Sequence, residues 1–193
     1  MRTANELAIR AQNGCAAAFA VLVDRYRPRL IRFVDQRVAR YRGADAEDIT
    51  QEVLAKAWQT LHRFRPQYQF ATWLYTIATR TTTDHLRRPT RDLVHPRLES
   101  LPDSKLSHEK CLEISENVDN IWAIAYRVLK EDRYAVLWLR YGEDLTVKDI
   151  AQVLGKTSVG VRVLLHRARA TLQPYLAADF SEGLPPEDRT EGT

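Results

Sequence analysis

The chain has 193 residues, 45% hydrophobic and 28% charged, the balance of a folded protein with one medium domain or two small ones. No apolar run approaches the roughly 20 residues that span a bilayer, and Met1 to Gln12 lacks the apolar core of a signal peptide, which argues against membrane insertion. Two distant cysteines, Cys15 and Cys111, make a disulfide framework improbable and fit a reducing cytoplasm. His108 and Cys111 have no second ligand pair of metal-site spacing, so no metal or other cofactor is expected.

Taken in chain order, Phe19, Leu22, Val23, Tyr26, Leu30, Phe33, Val34 and Val38 recur at helical spacing, on one long helix or a helix pair with Pro28 at a kink. Ile49, Val53, Ala57, Trp58 and Leu61 mark a second helix, with Asp45 placed to cap its N-terminus. Phe70, Trp73, Leu74 and Ile77 mark a third, closing near Arg88 because Pro89 follows. No alternating pattern suggests a strand. Polar, proline-bearing sequence then runs to about Ser115, which is linker composition. Helical periodicity resumes at Val118, Ile121, Trp122 and Ala125 and again at Ala135, Val136, Trp138 and Leu139. Two shorter helices are expected at Val147 to Leu154 and Ser158 to Leu172, followed by an acidic tail. The expected fold is all-α, with residues 1–88 forming one helical domain, 89–115 an acidic linker, 116–176 a second domain and 177–193 a disordered tail.

The net charge of +4 says less than its distribution. Phe70 to Arg91 holds four arginines against the single acid Asp84, and Lys156 to Tyr175 holds four basic residues and no acid. Between them, Asp92 to Asn120 carries seven acids against three bases. Two basic islands separated by an acidic connector suggest two sites on one nucleic acid.

The second island lies in a helix-turn-helix pattern. Ile150 and Leu154 share an inner face, Ala151 is small where a second helix crosses, Gly155 permits the left-handed turn, and Val161 anchors the second helix. That helix presents Arg162, His166 and Arg169, suited to a major groove, with Thr157 and Ser158 at its start. An ordinary amphipathic helix with a solvated basic face is the alternative. Upstream, Asp45, Glu47, Asp48 and Glu52 place four carboxylates within about two turns. They can serve as caps and solvated groups, or as a docking face for a basic partner. No histidine or glycine-rich loop accompanies them to suggest catalysis. Between these motifs, Phe64 to Arg88 interleaves aromatics with arginines and threonines. Such a pattern suits stacking on unpaired bases and holding phosphates. Trp73 and Phe64 are expected in the core, and Tyr68, in a polar loop, at the surface.

In this order the motifs resemble the extracytoplasmic-function (ECF) group of bacterial sigma factors. Asp45 to Val53 followed by Ala57-Trp58 is similar to the group's region 2.2. Phe70 to Ala78, with Asp84 and Leu86-Arg87-Arg88, is similar to regions 2.3 and 2.4, and Leu145 to Leu172 to region 4.2. The resemblance implies a non-enzymatic factor that binds core RNA polymerase and directs promoter recognition, DNA opening and initiation. Asp45, Asp48, Gln51 and Glu52 would dock on the β′ clamp helices. Tyr68, Phe70, Arg80, Thr83, Arg87 and Arg88 would address the −10 element, and Thr157, Ser158, Arg162, His166 and Arg169 the −35 element. The β flap and an anti-sigma factor are the further partners it implies.

The sequence departs from the group at two places. Arg80 stands where region 2.4 usually has Asn near a flipped base. Val163 and Leu164 replace the usual Ser and Arg of the recognition helix, leaving Arg162 as the basic residue of that segment. An unusual promoter preference is expected. A one-component regulator would leave the acidic and aromatic-basic helices without a purpose, and an enzyme would need convergent ligands that the sequence does not offer.

Overall fold

The computed structural model describes residues 3–39, 45–87 and 116–181. Arg88, the connector 89–115 with His108 and Cys111, and the tail beyond residue 181 lie outside the described residues. All regular structure among the described residues is helical.

The first unit is a four-helix assembly of α1 (Ala4–Gln12), α2 (Ala16–Val38), α3 (Ala46–Thr60) and α4 (Phe70–Arg87). Helix α1, unmarked by the apolar periodicity, begins with a capping box in which Thr3 and Glu6 each satisfy the other's backbone amide. The Phe19 to Val38 pattern is one continuous helix that carries Pro28 within it. Leu22, Tyr26, Leu30, Phe33, Val34 and Val38 are buried along its inner face. Asp45 caps α3 as expected, its carboxylate accepting from the Glu47 and Asp48 amides. Ile49, Val53 and Ala57 turn inward, whereas Trp58 stays exposed with its ring tilted against Phe19, the centroids 4.8 Å apart. Tyr26, Phe64, Phe70 and Trp73 form an aromatic cluster at the start of α4.

The second unit contains α5 (Glu116–Val128), α6 (Glu131–Leu137), α7 (Val147–Leu154) and α8 (Ser158–Ser181). Helix α8 runs past Leu172 and through Pro174, further than the apolar pattern implies. A π-helical turn, Trp138–Gly142, follows α6. Its wide spiral sends the Glu143 amide to the Trp138 carbonyl at 3.1 Å. A Cβ on Gly142 would lie 3.3 Å from the Trp138 ring, so glycine lets the turn close over the indole. Gly155 ends α7 in the left-handed region (φ 62°), as the helix-turn-helix pattern requires.

The two units pack against each other, α7 lying on α4 and α6 meeting α2. At the seam, the Glu143 side chain is only 2% exposed. It accepts from the Tyr75 hydroxyl at 2.7 Å and from Arg29 at 3.2 Å, and Trp138 Nε1 donates to the same Tyr75 oxygen at 3.1 Å. Burial raises the Glu143 carboxyl above its ordinary range, opposed by Arg29 and the neighbouring donors. Burial, with the Glu143 charge adding to it, also holds the Tyr75 hydroxyl well above the usual phenol value. Elsewhere along the seam, Tyr126 donates to Asp35 at 2.7 Å, Gln36 to the Leu129 carbonyl at 3.2 Å, and Arg37 pairs with Glu131 at 3.2 Å.

Open space surrounds Gly155 where a Cβ would project, so its left-handed backbone is the whole constraint. Gly155→Ala is expected to cost about 1 kcal/mol without a packing clash. Urea unfolding checks this: an unchanged midpoint would show that the turn tolerates a side chain.

Candidate nucleic-acid interface

Helix α3 is amphipathic by construction. Ile49, Val53 and Ala57 face the core, which leaves Asp45, Asp48 and Gln51 on the exposed side near its N-terminus. Glu52 is half-buried and bonds Lys56 at 2.7 Å; Lys56 in turn donates to Thr81 of α4 at 3.3 Å. Three of the four acidic-helix candidates therefore lie open, while the fourth is engaged in the packing of α3 on α4. Asp45 also has a structural duty as the cap.

The loop before α4 is pinned from α1, a connection that sequence reasoning missed. Asn5 donates to the carbonyls of Pro66 (3.1 Å) and Tyr68 (2.9 Å) and accepts from the Phe70 amide at 2.8 Å. Gln12 donates to the Leu61 and Phe64 carbonyls at 2.7 and 2.8 Å. With its backbone held in this way, the loop projects Tyr68 outward, 46% exposed. The polar residues Asn5 and Gln12 carry no periodic signal, and only the Thr3–Glu6 capping box hints at a helix to bear them.

Phe70 requires a correction. The family resemblance places it at the −10 element, yet it is 2% exposed and packs edge-on against Tyr26 and Phe64. Its ring is core, and a base cannot stack on it in this conformation. Trp73, expected in the core, is half-buried against Phe64 and Phe70. Farther along α4, Arg80 and Arg87 are exposed, and Thr83 is half-buried with its hydroxyl bonded back to Thr79. Thr79, Thr81 and Thr82 of the threonine run are buried. Arg80, Thr83 and Arg87 thus follow one another at spacings of three and four, a ridge along the helix.

In the second unit the helix-turn-helix is built as the spacing requires. Ile150, Ala151, Val161 and Leu165 are buried where α7 and α8 cross. Thr157 caps α8, its hydroxyl accepting from the Gly160 amide at 3.1 Å, and Ser158 stands half-buried beside it. Arg162, His166 and Arg169 are all exposed on the outer face. Val159 and Val163 are exposed too, at 66% and 42%, so the solvated side carries two apolar residues among its bases. An apolar groove borders this helix, lined by Ile121, Trp122, Leu137, Tyr141, Leu172 and Leu176, with His166 and Arg169 also in its wall. Among the described residues no cluster of three potential metal ligands occurs, and no helix is long and apolar enough to cross a membrane.

A four-helix unit with one acidic and one basic helix face is thus joined to a helix-turn-helix, an all-α arrangement of the class that binds nucleic acid. Residues 22–92 match the sigma-70 region 2 family and residues 126–172 the sigma-70 region 4 family. The RNA polymerase sigma-H factor of Pseudomonas aeruginosa is 32% identical over 184 residues, an alignment covering 89% of this chain and 94% of that protein. The ECF RNA polymerase sigma factor BldN of Streptomyces coelicolor is 31% identical over 90% of this chain, which spans 66% of that protein's length. The structure of CnrH in complex with the cytosolic domain of CnrY superimposes with a TM-score of 0.56 at 25% identity, covering 91% of this chain and 97% of that one. The chain belongs to the ECF sigma factors. It binds core RNA polymerase and directs promoter recognition and transcription initiation.

The Asp45 cap can be tested by substitution. Asp45→Ala removes both cap bonds and should cost about 1 kcal/mol, whereas Asp45→Asn keeps the acceptor and should cost little. Thermal unfolding of the two variants checks the cap. Equal losses would show that the charge, rather than the acceptor, holds the helix start.

Proposed function

We propose a division of labour among three exposed faces. The α3 face of Asp45, Asp48 and Gln51, with Glu52 at its edge, docks on the β′ clamp helices of core polymerase. The α4 ridge of Arg80, Thr83 and Arg87, with Tyr68 in the pinned loop and Arg88 beyond it, addresses the −10 element and its opening. The outer face of α8, with Arg162, His166 and Arg169 and the cap residues Thr157 and Ser158, reads the −35 element. The units 1–88 and 116–176 are the working domains, joined by the acidic stretch 89–115. The observation carrying this reading is that each inner helix face is core, while acids on α3 and bases on α4 and α8 remain exposed.

The apolar groove beside α8 suits an apolar helix of the β flap, since a mostly hydrophobic concave surface gains most from burying apolar area. An anti-sigma factor is a further partner, by analogy with the cytosolic domain of CnrY that accompanies CnrH. The site of action is the cytoplasm, where polymerase and promoter DNA meet. The contribution of the chain is binding and positioning rather than covalent chemistry.

Arg80 changes what the −10 face can do. A guanidinium cannot reproduce the bonding of a short amide to a flipped base, but it can stack on the base or pair with phosphate. Arg162 is the corresponding test residue on α8, where a base-edge contact is worth about 1–3 kcal/mol of discrimination.

Two experiments test this reading. Asp48→Lys with Glu52→Lys should weaken core binding in equilibrium titrations at low salt. Individual exposed pairs contribute only about 0.2–1 kcal/mol, which is why both are changed; unaltered affinity would remove α3 from the contact. In run-off transcription with core polymerase on a promoter library, Arg162→Ala should lose activity chiefly where a −35 element is intact. Arg80→Asn should shift the preferred −10 base while core affinity stays constant. Preferences identical to the wild type in both variants would take these two arginines out of promoter reading.

A further inference from the structure

The solvent face of α8 is not uniformly basic. Val161, Leu165, Ala168 and Leu172 fix its inner side, all of them buried. At about 100° per residue, the side pointing directly away from these four carries Val159 and Val163, about 40° apart around the axis. Both are open to solvent, at 66% and 42%. Arg162, His166 and Arg169 run at spacings of four and three along one flank of this line, and Arg167 lies exposed on the other. The outermost line of the helix is therefore apolar over its first turns, and the charges stand to either side of it.

The charges around the valines say what they meet. No acid occurs between Lys156 and Tyr175, so the surroundings suit a polyanion. On a helix laid in a major groove, flanking basic side chains reach phosphates along the walls or base edges beside them. The line pointing straight away from the core meets the groove floor, where the only methyl group is the 5-methyl of thymine. A valine cannot hydrogen-bond, so against guanine, cytosine or adenine it displaces water from polar edges and leaves them without a partner. Val163 stands where the ECF group usually carries Ser, whose hydroxyl bonds donors and acceptors alike and so reads bases less selectively. Val159 and Val163 are about 6 Å apart along the helix axis, against about 3.4 Å per base pair, so they address positions no more than about two base pairs apart.

We infer that Val159 and Val163 read thymine methyl groups on the floor of the −35 major groove, an inference that rests on the assignment of α8 to that element. The −35 element of this chain is then selected by methyl contact as well as by hydrogen bonding. It carries thymine, on either strand, at two neighbouring positions, and the bases of α8 hold the helix in register over them.

The test uses the full chain with core polymerase, on promoters that wild type selects from a library. Each −35 thymine is replaced singly, on either strand, by deoxyuridine, which keeps the base pair and lacks only the methyl group. Open-complex formation is measured at sub-saturating holoenzyme. Wild type should lose about fourfold at two positions, the worth of one buried methyl group at each, and nothing at the others. Val159→Ala and Val163→Ala should each abolish the loss at one of these positions, activity on the thymine template falling to that on the deoxyuridine template. Such a cycle between side chain and methyl group isolates their contact from any general weakening of binding. Alanine is the better helix former, so both exposed substitutions leave α8 intact, which circular dichroism checks. Equal activity on thymine and deoxyuridine templates at every position would overturn the inference. So would selected −35 elements without thymine, or valine variants as sensitive to deoxyuridine as wild type. Scrambling the whole −35 element separates this inference from the one beneath it. If scrambling lowers transcription while deoxyuridine does not, α8 reads the element and the valines do not. If scrambling changes nothing, the assignment of α8 fails, and the valine contacts fail with it.

Discussion

Tyr75 belongs to two cores at once. Its ring is fully buried and meets Phe33 edge-on, with centroids 5.0 Å apart, inside the four-helix unit. Its hydroxyl emerges at the seam, where it donates to Glu143 and accepts from Trp138. A buried tyrosine needs a partner for its hydroxyl, and here both partners come from the other unit. The bonds run in series, indole to hydroxyl to carboxylate to guanidinium. Removing the Tyr75 hydroxyl takes that partner from both the buried Glu143 carboxylate and the buried Trp138 indole, at a cost of about 1–3 kcal/mol each.

The rest of the molecule follows from giving every helix an inner and an outer duty. On α3 the 3.6-residue period turns Ile49, Val53 and Ala57 inward and so leaves Asp45, Asp48 and Gln51 outside. On α4 the same period buries Ala71, Leu74, Tyr75 and Ala78 and leaves Arg80 and Arg87 in solvent. On α8 it buries Val161, Leu165, Ala168 and Leu172 beneath Arg162, His166 and Arg169. Position on the helix, more than residue type, decides which bases and acids are free to meet a partner. Thr79 and Thr82 illustrate the rule from the other side, being polar residues that the period turns inward.

Much of this was legible because it is local. The Asp45 cap, the Gly155 turn and the inner faces of α2, α3 and α7 depend on residues within a few positions of one another, and the structure places them as the spacing implies. Phe70, which the resemblance implied at the −10 element, packs on Tyr26 and Phe64 instead. Burial is a tertiary fact that spacing does not carry. Helix α8 runs beyond its apolar stripe, and a helix can continue through Pro174 where the sequence suggests a stop. The seam was invisible for a stronger reason. Trp138 and Glu143 stand five apart on a π turn, outside the three- and four-residue spacings by which helix neighbours are read. Their partners Arg29 and Tyr75 lie more than sixty residues upstream. Asn5 and Gln12, which hold the loop before α4, are likewise polar residues acting across more than forty-five positions.

Electrostatics shows what the seam asks of a buried charge. Burial raises the Glu143 carboxyl above its ordinary range, and Arg29 with the neighbouring donors opposes that shift. Arg29 is 47% exposed, so the ion pair is buried on the carboxylate side and borders solvent on the other. A buried charge is tolerated where it is both paired and hydrogen-bonded, and Glu143 has the guanidinium for the first and the Tyr75 hydroxyl for the second. By contrast, the exposed bases of α4 and α8 and acids of α3 stand in water, where a charge needs no partner within the fold. Among the described residues, the chain thus satisfies internally the one carboxylate that it buries between its units and leaves its remaining charged helix faces to the solvent side.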